Sequence, residues 1–259
     1  MSYKPLKLWF NRDLAELLAM KIASVQPSFN SPDFIQEVDT SITDLELKDR
    51  IEIICDGIQK YLLGDYPAKV SVLLQILGPE NEDETGMFKK YYWLMPIAKF
   101  VEKYGLDYYE HSIQAISEIT KRNTGEYAIR PFLERYPDKT IPQLLEWSNN
   151  GNKHIRRLAS EGGRPRLPWS KKLQQFIDDP EPLLPILENL KDDTSKYVQK
   201  SVANCINDIL KDNPKIAKSL IGSWIPTATP QRKWIIKHAI RNLRKNNDTW
   251  ALHVINNLI

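Results

Sequence analysis

Three carboxylates stand out among cationic neighbours, and the first is Glu161. The segment Asn152–Trp169, NKHIRRLASEGGRPRLPW, reads as a short helix running into a basic loop that ends in an aromatic residue. Ile155, Leu158, Ala159 and Gly162 recur at helical spacing and form an apolar face, while Lys153, Arg157, Glu161 and Arg164 fall in a stripe on the other side. Glu161 lies in the last helical turn, at the negative end of the macrodipole, where an acid costs about 0.3–1 kcal/mol. Two readings are open. Either Glu161 is a salt-bridge partner of Arg157 one turn earlier, worth about 0.2–0.5 kcal/mol, or it is kept there for chemistry. The chemistry suited to such a carboxylate is stabilising developing positive charge and guiding a water.

Asp208 and Glu126 pose the same question. In Ser195–Lys211, SKYVQKSVANCINDILK, a core face of Val198, Val202, Cys205, Ile206 and Ile209 leaves Tyr197, Ser201, Asn204 and Asp208 along the opposite stripe. Asp is a poor mid-helix residue, so Asp208 is either an exposed partner of Lys211 or a second functional acid. In Thr124–Tyr136, TGEYAIRPFLERY, the spacing predicts a helix capped by Thr124, with Glu126 one turn from Arg130. There the alternative to a functional acid is a carboxylate complementing the helix dipole.

The elements that position these acids are predicted to be helical throughout. Trp9–Ser24, Leu45–Leu63 and Ala68–Leu77 read as helices, separated by the polar segment around Gln26–Asp33 and the turn Gly64–Pro67. Gly78–Gly86 is acidic and reads as a solvated loop, and the helices Trp93–Tyr104 and Tyr108–Arg122 meet at Gly105. Helices then pair at a repeating interval: Lys139–Trp147 with Asn152–Glu161, Pro182–Leu190 with Ser195–Lys211, Pro214–Trp224 with Gln231–Lys245. The second helices begin at Lys153, Lys196 and Lys233, separated by 43 and 37 residues. That period belongs to HEAT-like antiparallel helix pairs, which bury their apolar faces only by stacking, so the fold class expected is all-α, a curved solenoid.

Charge follows the same division. Residues 1–149 hold 17 basic and 23 acidic side chains, a net −6, and residues 150–259 hold 19 and 10, a net +9. In Gln231–Lys245, Trp234, Ile235, Ala239 and Leu243 mark the packed side, and Lys233, Lys237, Arg241 and Arg244 make a cationic row. Together with Lys153, Arg156, Arg157, Arg164, Arg166, Lys196 and Lys200 at equivalent repeat positions, this row suits a polyanion, of which a nucleic-acid duplex is the commonest. A chain of 259 residues with 42% hydrophobic content buries a sizeable core. Cys55 and Cys205 are far apart and match no metal or redox spacing, and four scattered histidines offer no metal site. No leader and no membrane-spanning run is read. A monomeric, cytoplasmic protein is expected, with no cofactor and no membrane partner.

TGEYAIRPFL, NKHIRRLASEGGRPRLPW and YVQKSVANCINDILKDNP, in that order, resemble the AlkC branch of the HEAT-like-repeat bacterial DNA glycosylases. The resemblance covers most of the chain and is strongest over Trp93–Arg244, where RLASEG-x-RPRLPW and SVAN-x-x-ND are long, specific motifs. It departs from the family pattern at Gly163 and at Gln199-Lys200, which bears on affinity more than on chemistry. Some members carry an additional immunoglobulin-like domain; this chain ends at Ile259, so the expectation is that the repeats alone wrap the DNA. Residues 1–90 are expected to be a helical cap, and 91–259 the repeats, within a single domain.

What the resemblance implies is hydrolysis of the N-glycosidic bond of cationic alkylated bases such as 3-methyladenine, and 3-methylcytosine as a further candidate, in double-stranded DNA without full base flipping. By similarity Glu161, Asp208 and Glu126 match the acids at the lesion, with Glu161 as the principal sugar-facing carboxylate. Lys153, His154, Arg157, Arg164, Arg166, Trp169, Lys200, Lys233, Lys237 and Arg241 are the expected DNA-binding residues. A charged base is already a good leaving group, so carboxylates that stabilise an oxocarbenium-like sugar suffice. Acids placed among cations repel phosphate, which makes sense when a cationic transition state forms between them. The competing class is a non-catalytic HEAT-type scaffold binding DNA or an acidic protein through the same surface; an RNA-binding repeat protein is a weaker third.

Overall fold

The structure is a computed structural model that describes residues 4–85 and 90–258; among these residues there are sixteen α-helices and no strand. The all-α expectation holds. The chain divides into two compact units, Met1–Pro131 and Phe132–Ile259.

The first unit contains α1 (Arg12–Val25), α2 (Ser31–Ser41), α3 (Leu47–Tyr61), α4 (Tyr66–Gln75), α5 (Met95–Tyr104) and α6 (Tyr109–Thr120). Side chains fix several starts: Asn11 accepts from the Leu14 N–H, Asn30 from that of Asp33 and Asp65 from that of Ala68. Hence α1 begins at Arg12, not at Trp9 as the periodicity suggested, and Leu6–Trp9 forms a separate 3-10 turn. The segment read as a polar separator begins α2. That helix buries only Phe34 and Val38, too narrow an apolar stripe to announce itself. α1 packs on α2, α2 on α3, α3 on α5 and α4 on α6. The buried Arg50 donates to the carbonyls of Leu45 and Phe10, tying the chain before α1 to the start of α3.

A short helix, α7 (Arg130–Arg135), spans the division between the units. It begins six residues later than the expected cap at Thr124. Pro131 has no N–H and suits only the first turn, and residues 126–129 instead form turns closed by Ile129 N–H to the Gly125 carbonyl. Glu126 therefore does not sit at a helix N-terminus, and the dipole reading of it falls.

In the second unit follow α8 (Pro137–Trp147), α9 (Lys153–Gly162), α10 (Gln174–Asp178), α11 (Leu184–Leu190), α12 (Lys196–Asp212), α13 (Pro214–Trp224), α14 (Pro230–Ala239), α15 (Arg241–Lys245) and α16 (Thr249–Asn257). The helices α9 and α12 open at Lys153 and Lys196, where the repeat spacing placed them, and α14 opens at Pro230, three residues before the expected Lys233, because Thr229 caps it as Asn152 and Ser195 cap the other two. α12 is the hub, packing against α9, α13 and α14. Its apolar side is buried, and so are Gln199, Ser201, Asn207 and Asp208 on its polar side. The expected continuous helix Gln231–Lys245 is broken at Ile240. There the Asn207 side-chain amide donates to the Ala239 carbonyl at 2.6 Å, and Asn242 donates to Asn207 Oδ1 at 3.2 Å. A tertiary contact thus supplies a partner where the helical ladder lapses.

Two glycines test the packing. A Cβ on Gly57 of α3 would approach Phe34 Cε2 to 2.8 Å, whereas one on the exposed Gly222 of α13 would meet nothing within 4 Å. Gly222→Ala is expected to raise stability by about 1 kcal/mol through helix propensity. Gly57→Ala should lose that gain and more, because overpacking costs about 1–3 kcal/mol. Thermal melts of the two variants should move in opposite directions.

Candidate functional site

Glu161 closes the last turn of α9, and it is not on an exposed stripe. It is 6% exposed, and Arg164 8%, because α12 packs over this face of α9. The expected i,i+4 bridge to Arg157 exists, at 3.4 Å, but two shorter contacts hold the carboxylate. Arg164 Nη1 donates to Oε1 at 2.8 Å and Ser201 Oγ donates to Oε2 at 2.7 Å. Burial alone would raise the Glu161 carboxyl, but the charges of Arg157 and Arg164 and the bonds from Ser201 and Arg164 outweigh it and hold the group below the usual carboxylate range.

Asp208 is 2% exposed. The reading of it as a surface acid is corrected, although Lys211 does reach it, at 3.2 Å. Its principal partner is Arg164, whose Nε donates to Oδ2 at 2.9 Å. One guanidinium therefore joins Glu161 of α9 to Asp208 of α12. The neighbouring Cys205 is fully packed, and burial followed by the Asp208 charge pushes its thiol upward, away from reactivity. Arg241 lies close enough to Arg164 and Asp208 to feel both, and its guanidinium donates to Asn204 Oδ1 at 3.0 Å and to the His238 carbonyl at 2.7 Å.

On the outer side, Arg157 lies over the Tyr197 ring, 4.9 Å from its centroid. The same ring meets His154 edge-on at 5.6 Å, and His154 itself is buried. Lys153 is half-buried at the start of the helix. After α9 the chain leaves through Gly163, where a Cβ would approach Leu183 Cδ2 to 2.8 Å. The loop is then pinned by the buried Pro165 and Leu167 and by Leu173 N–H to the Pro165 carbonyl at 3.1 Å. Trp169 is 78% exposed at a backbone φ of 61°, so it is no core aromatic. A left-handed conformation costs a non-glycine residue about 1–2 kcal/mol.

The basic side chains fall into two classes. Arg156 pairs with Asp193, Arg157 with Glu161, Arg164 with Glu161 and Asp208, and Arg166 with Asp212 at 2.5 Å. Lys200 and Lys237 are exposed and Lys233 half-buried, with no carboxylate partner among the described residues. They surround an aromatic pair in which Trp234 stacks on His238 at 4.8 Å, with Lys196 3.9 Å above the Trp234 ring. Burial, then Arg241, Lys200 and Lys196, hold the His238 imidazole below its ordinary value, which favours the neutral ring.

The structure thus unites Glu161, Asp208, Arg157 and Arg164, with Arg241 adjoining them. Glu126 belongs to the first unit, where it is buried. The sequence reading missed the carboxylates that neutralise the arginines, and the roles of Ser160, Ser201, Asn204 and Asn207. Ser201 and Asn204 did share a stripe with Asp208, and that alignment was the available signal. Among the described residues, no group of three or more His, Cys, Asp or Glu side chains is placed to hold a metal ion, and no helix is long and apolar enough to cross a membrane.

Comparisons with known proteins place the chain in a family and a fold. An uncharacterised Bacillus subtilis protein, YhaZ, is 40% identical over 248 residues, 95% of this chain and 67% of its own length. The solved structure of Pseudomonas fluorescens alkylpurine DNA glycosylase AlkC bound to DNA containing an abasic site analog superimposes with a TM-score of 0.89 at 33% identity, over 98% of this chain and 69% of that one. The helical-repeat fold is thereby shared. Residues 92–243, which carry Glu126, Glu161, Arg164 and Asp208, match the model of the DNA alkylation repair enzymes, and the chain belongs to that family.

Proposed function

We propose that this protein is a DNA glycosylase that hydrolyses the N-glycosidic bond of cationic alkylated bases, 3-methyladenine first among them, in duplex DNA. The observation that carries the reading is the buried pair Glu161 and Asp208 joined by Arg164, in a unit whose sequence is strongly basic. Family membership and the likeness to an alkylpurine glycosylase support it.

The geometry suggests how the carboxylates work. Arg164 is the inner cation, in hydrogen-bond contact with both acids. Arg157 is the outer one, at 3.4 Å from Glu161. In this reading a DNA phosphate takes up Arg157, for which a guanidinium is well shaped. Glu161 is then left with one guanidinium instead of two, and its less compensated charge faces the sugar. As the C–N bond breaks, the base leaves neutral and the sugar becomes oxocarbenium-like, a charge that Glu161 and Asp208 stabilise while a water adds to the anomeric carbon and gives up its proton to solvent. Lys153, Lys200, Lys233 and Lys237 hold backbone phosphates. Trp169, exposed on its pinned loop, meets the distorted strand, and His154 supports this surface from beneath through Tyr197.

Three measurements test the proposal. Lys153, Lys200, Lys233, Lys237 and Arg157 are the cations assigned to phosphates, and neutralising roughly five phosphates gives a slope of log K against log salt of about −4.5. A slope near zero in a duplex-binding titration removes the polyanion partner. Base release from substrates carrying 3-methyladenine should far outpace release of neutral uracil, because no strong acid is assigned to the leaving group; efficient uracil release contradicts the chemistry. Glu161→Gln should lower the single-turnover excision rate about 10²–10³-fold. Because it unbalances a buried ion pair, it should also cost about 3 kcal/mol of stability, so rates are read well below its melting temperature. Arg157→Gln should weaken DNA binding more than chemistry. Full activity in folded Glu161→Gln returns the residue to a structural salt bridge and favours the scaffold alternative.

A further inference from the structure

Two buried hydroxyls lie behind Glu161, and nothing in the proposed chemistry uses them. Ser201 Oγ is 2.7 Å from Glu161 Oε2 and 2.7 Å from Ser160 Oγ, and both serines are 2% exposed. Their protons can be assigned by counting. An ionised carboxylate only accepts, so Ser201 spends its one proton on Glu161. Its lone pairs are then left to accept from Ser160. Ser160 has a second acceptor in the Arg157 carbonyl, but at 3.2 Å that is the longer contact. The chain therefore runs in one direction, Ser160 to Ser201 to Glu161, crossing from α9 to α12 and back.

We propose that Ser201, supported by Ser160, is a positioning residue that fixes the Glu161 carboxylate in one orientation and keeps it ionised. Ser201 stands two turns before Asp208 on α12, which puts the hydroxyl donor and the second acid on the same side of that helix. With Arg164 on Oε1 and Ser201 on Oε2, both oxygens of Glu161 are held, and the plane of the carboxylate is set by two helices and the loop between them. The charged and titratable groups that face Glu161 are Arg157 on its own helix, Arg164 on the loop, and Cys205 and Asp208 on α12; Lys211 and Arg241 act at one remove through Asp208 and Arg164. The consequence drawn for catalysis rests on the reading of Glu161 as the sugar-facing carboxylate; the relay itself does not.

The test is a 13C NMR titration of carboxyl-labelled glutamate in the full chain, with the Glu161 signal identified by its loss in Glu161→Gln, beside single-turnover 3-methyladenine release across pH. Losing one hydrogen bond to a charged group should raise the titration midpoint of Glu161 by about one to two units in Ser201→Ala. The acid limb of the excision profile should move the same way, and at neutral pH, where the carboxylate stays ionised, the rate should fall roughly tenfold through the loosened orientation alone. Ser160→Ala should move both in the same direction by less. A purely structural serine lowers the melting temperature and leaves the titration where it was, and that result overturns the proposal. If Ser201→Ala does not fold, Ser201→Cys keeps the shape with a weaker donor and should show a smaller upward shift; an unmoved midpoint there overturns the proposal equally. A shifted midpoint in a protein that releases no base supports the relay and removes the glycosylase reading. An unmoved midpoint in a protein that does release base removes the relay alone.

Discussion

The second unit depends on one guanidinium. Arg164 holds Glu161 through Nη1 and Asp208 through Nε, and all three groups are buried. An ion taken from water without a partner costs several kcal/mol, and Arg164 is the buried cation that both acids share, with Arg157 beside Glu161 and Lys211 beside Asp208. Arg164 in turn reaches both only because α9 stops at Gly162 and the chain folds back at once. Helix end, loop and α12 are thus fixed by the same three side chains. A planar fork with several donors makes this possible, and a lysine in its place could not hold two carboxylates in set directions.

α12 explains why so much polarity is interior. A helix covered on one face sends its other stripe to solvent, but α12 is contacted by α9, α13 and α14. Ser201, Asn207 and Asp208 consequently need partners inside the protein, and each has one: Glu161, the Ala239 carbonyl and Arg164. The polar groups do more than fill space. Asn207 fixes where α14 ends, and Ser201 fixes where Glu161 points.

Periodicity and capping made the helices legible, and repeat spacing placed the starts of α9 and α12. Glu161 and Asp208 were singled out because each was unfavourable in its local setting, a signal that survives in a single sequence, and Glu126 gained its assignment through the resemblance. What could not be read is tertiary in origin. α2 shows too few apolar positions, and the break at Ile240 depends on a side chain more than thirty residues away. Burial of Glu161 and Asp208 decides between the readings left open for them, since helical spacing reports which residues share a face but not how many neighbours cover the helix. The cationic row was read as uniform for the same reason. Asp193 and Asp212 neutralise Arg156 and Arg166 from 37 and 46 residues away, a pairing that no local pattern displays.

That division among the cations has a kinetic meaning. Lysines without carboxylate partners project their field into solvent and act on a polyanion before contact, so they govern how fast an encounter forms. The paired arginines are locally neutral at a distance and gain a new partner only after close approach, when an existing ion pair is exchanged for another. Their contribution is to how long a complex lasts. Under the proposed function, capture and retention are thereby separated, with the lysines around Trp234 for the first and the guanidiniums of α9 and its loop for the second.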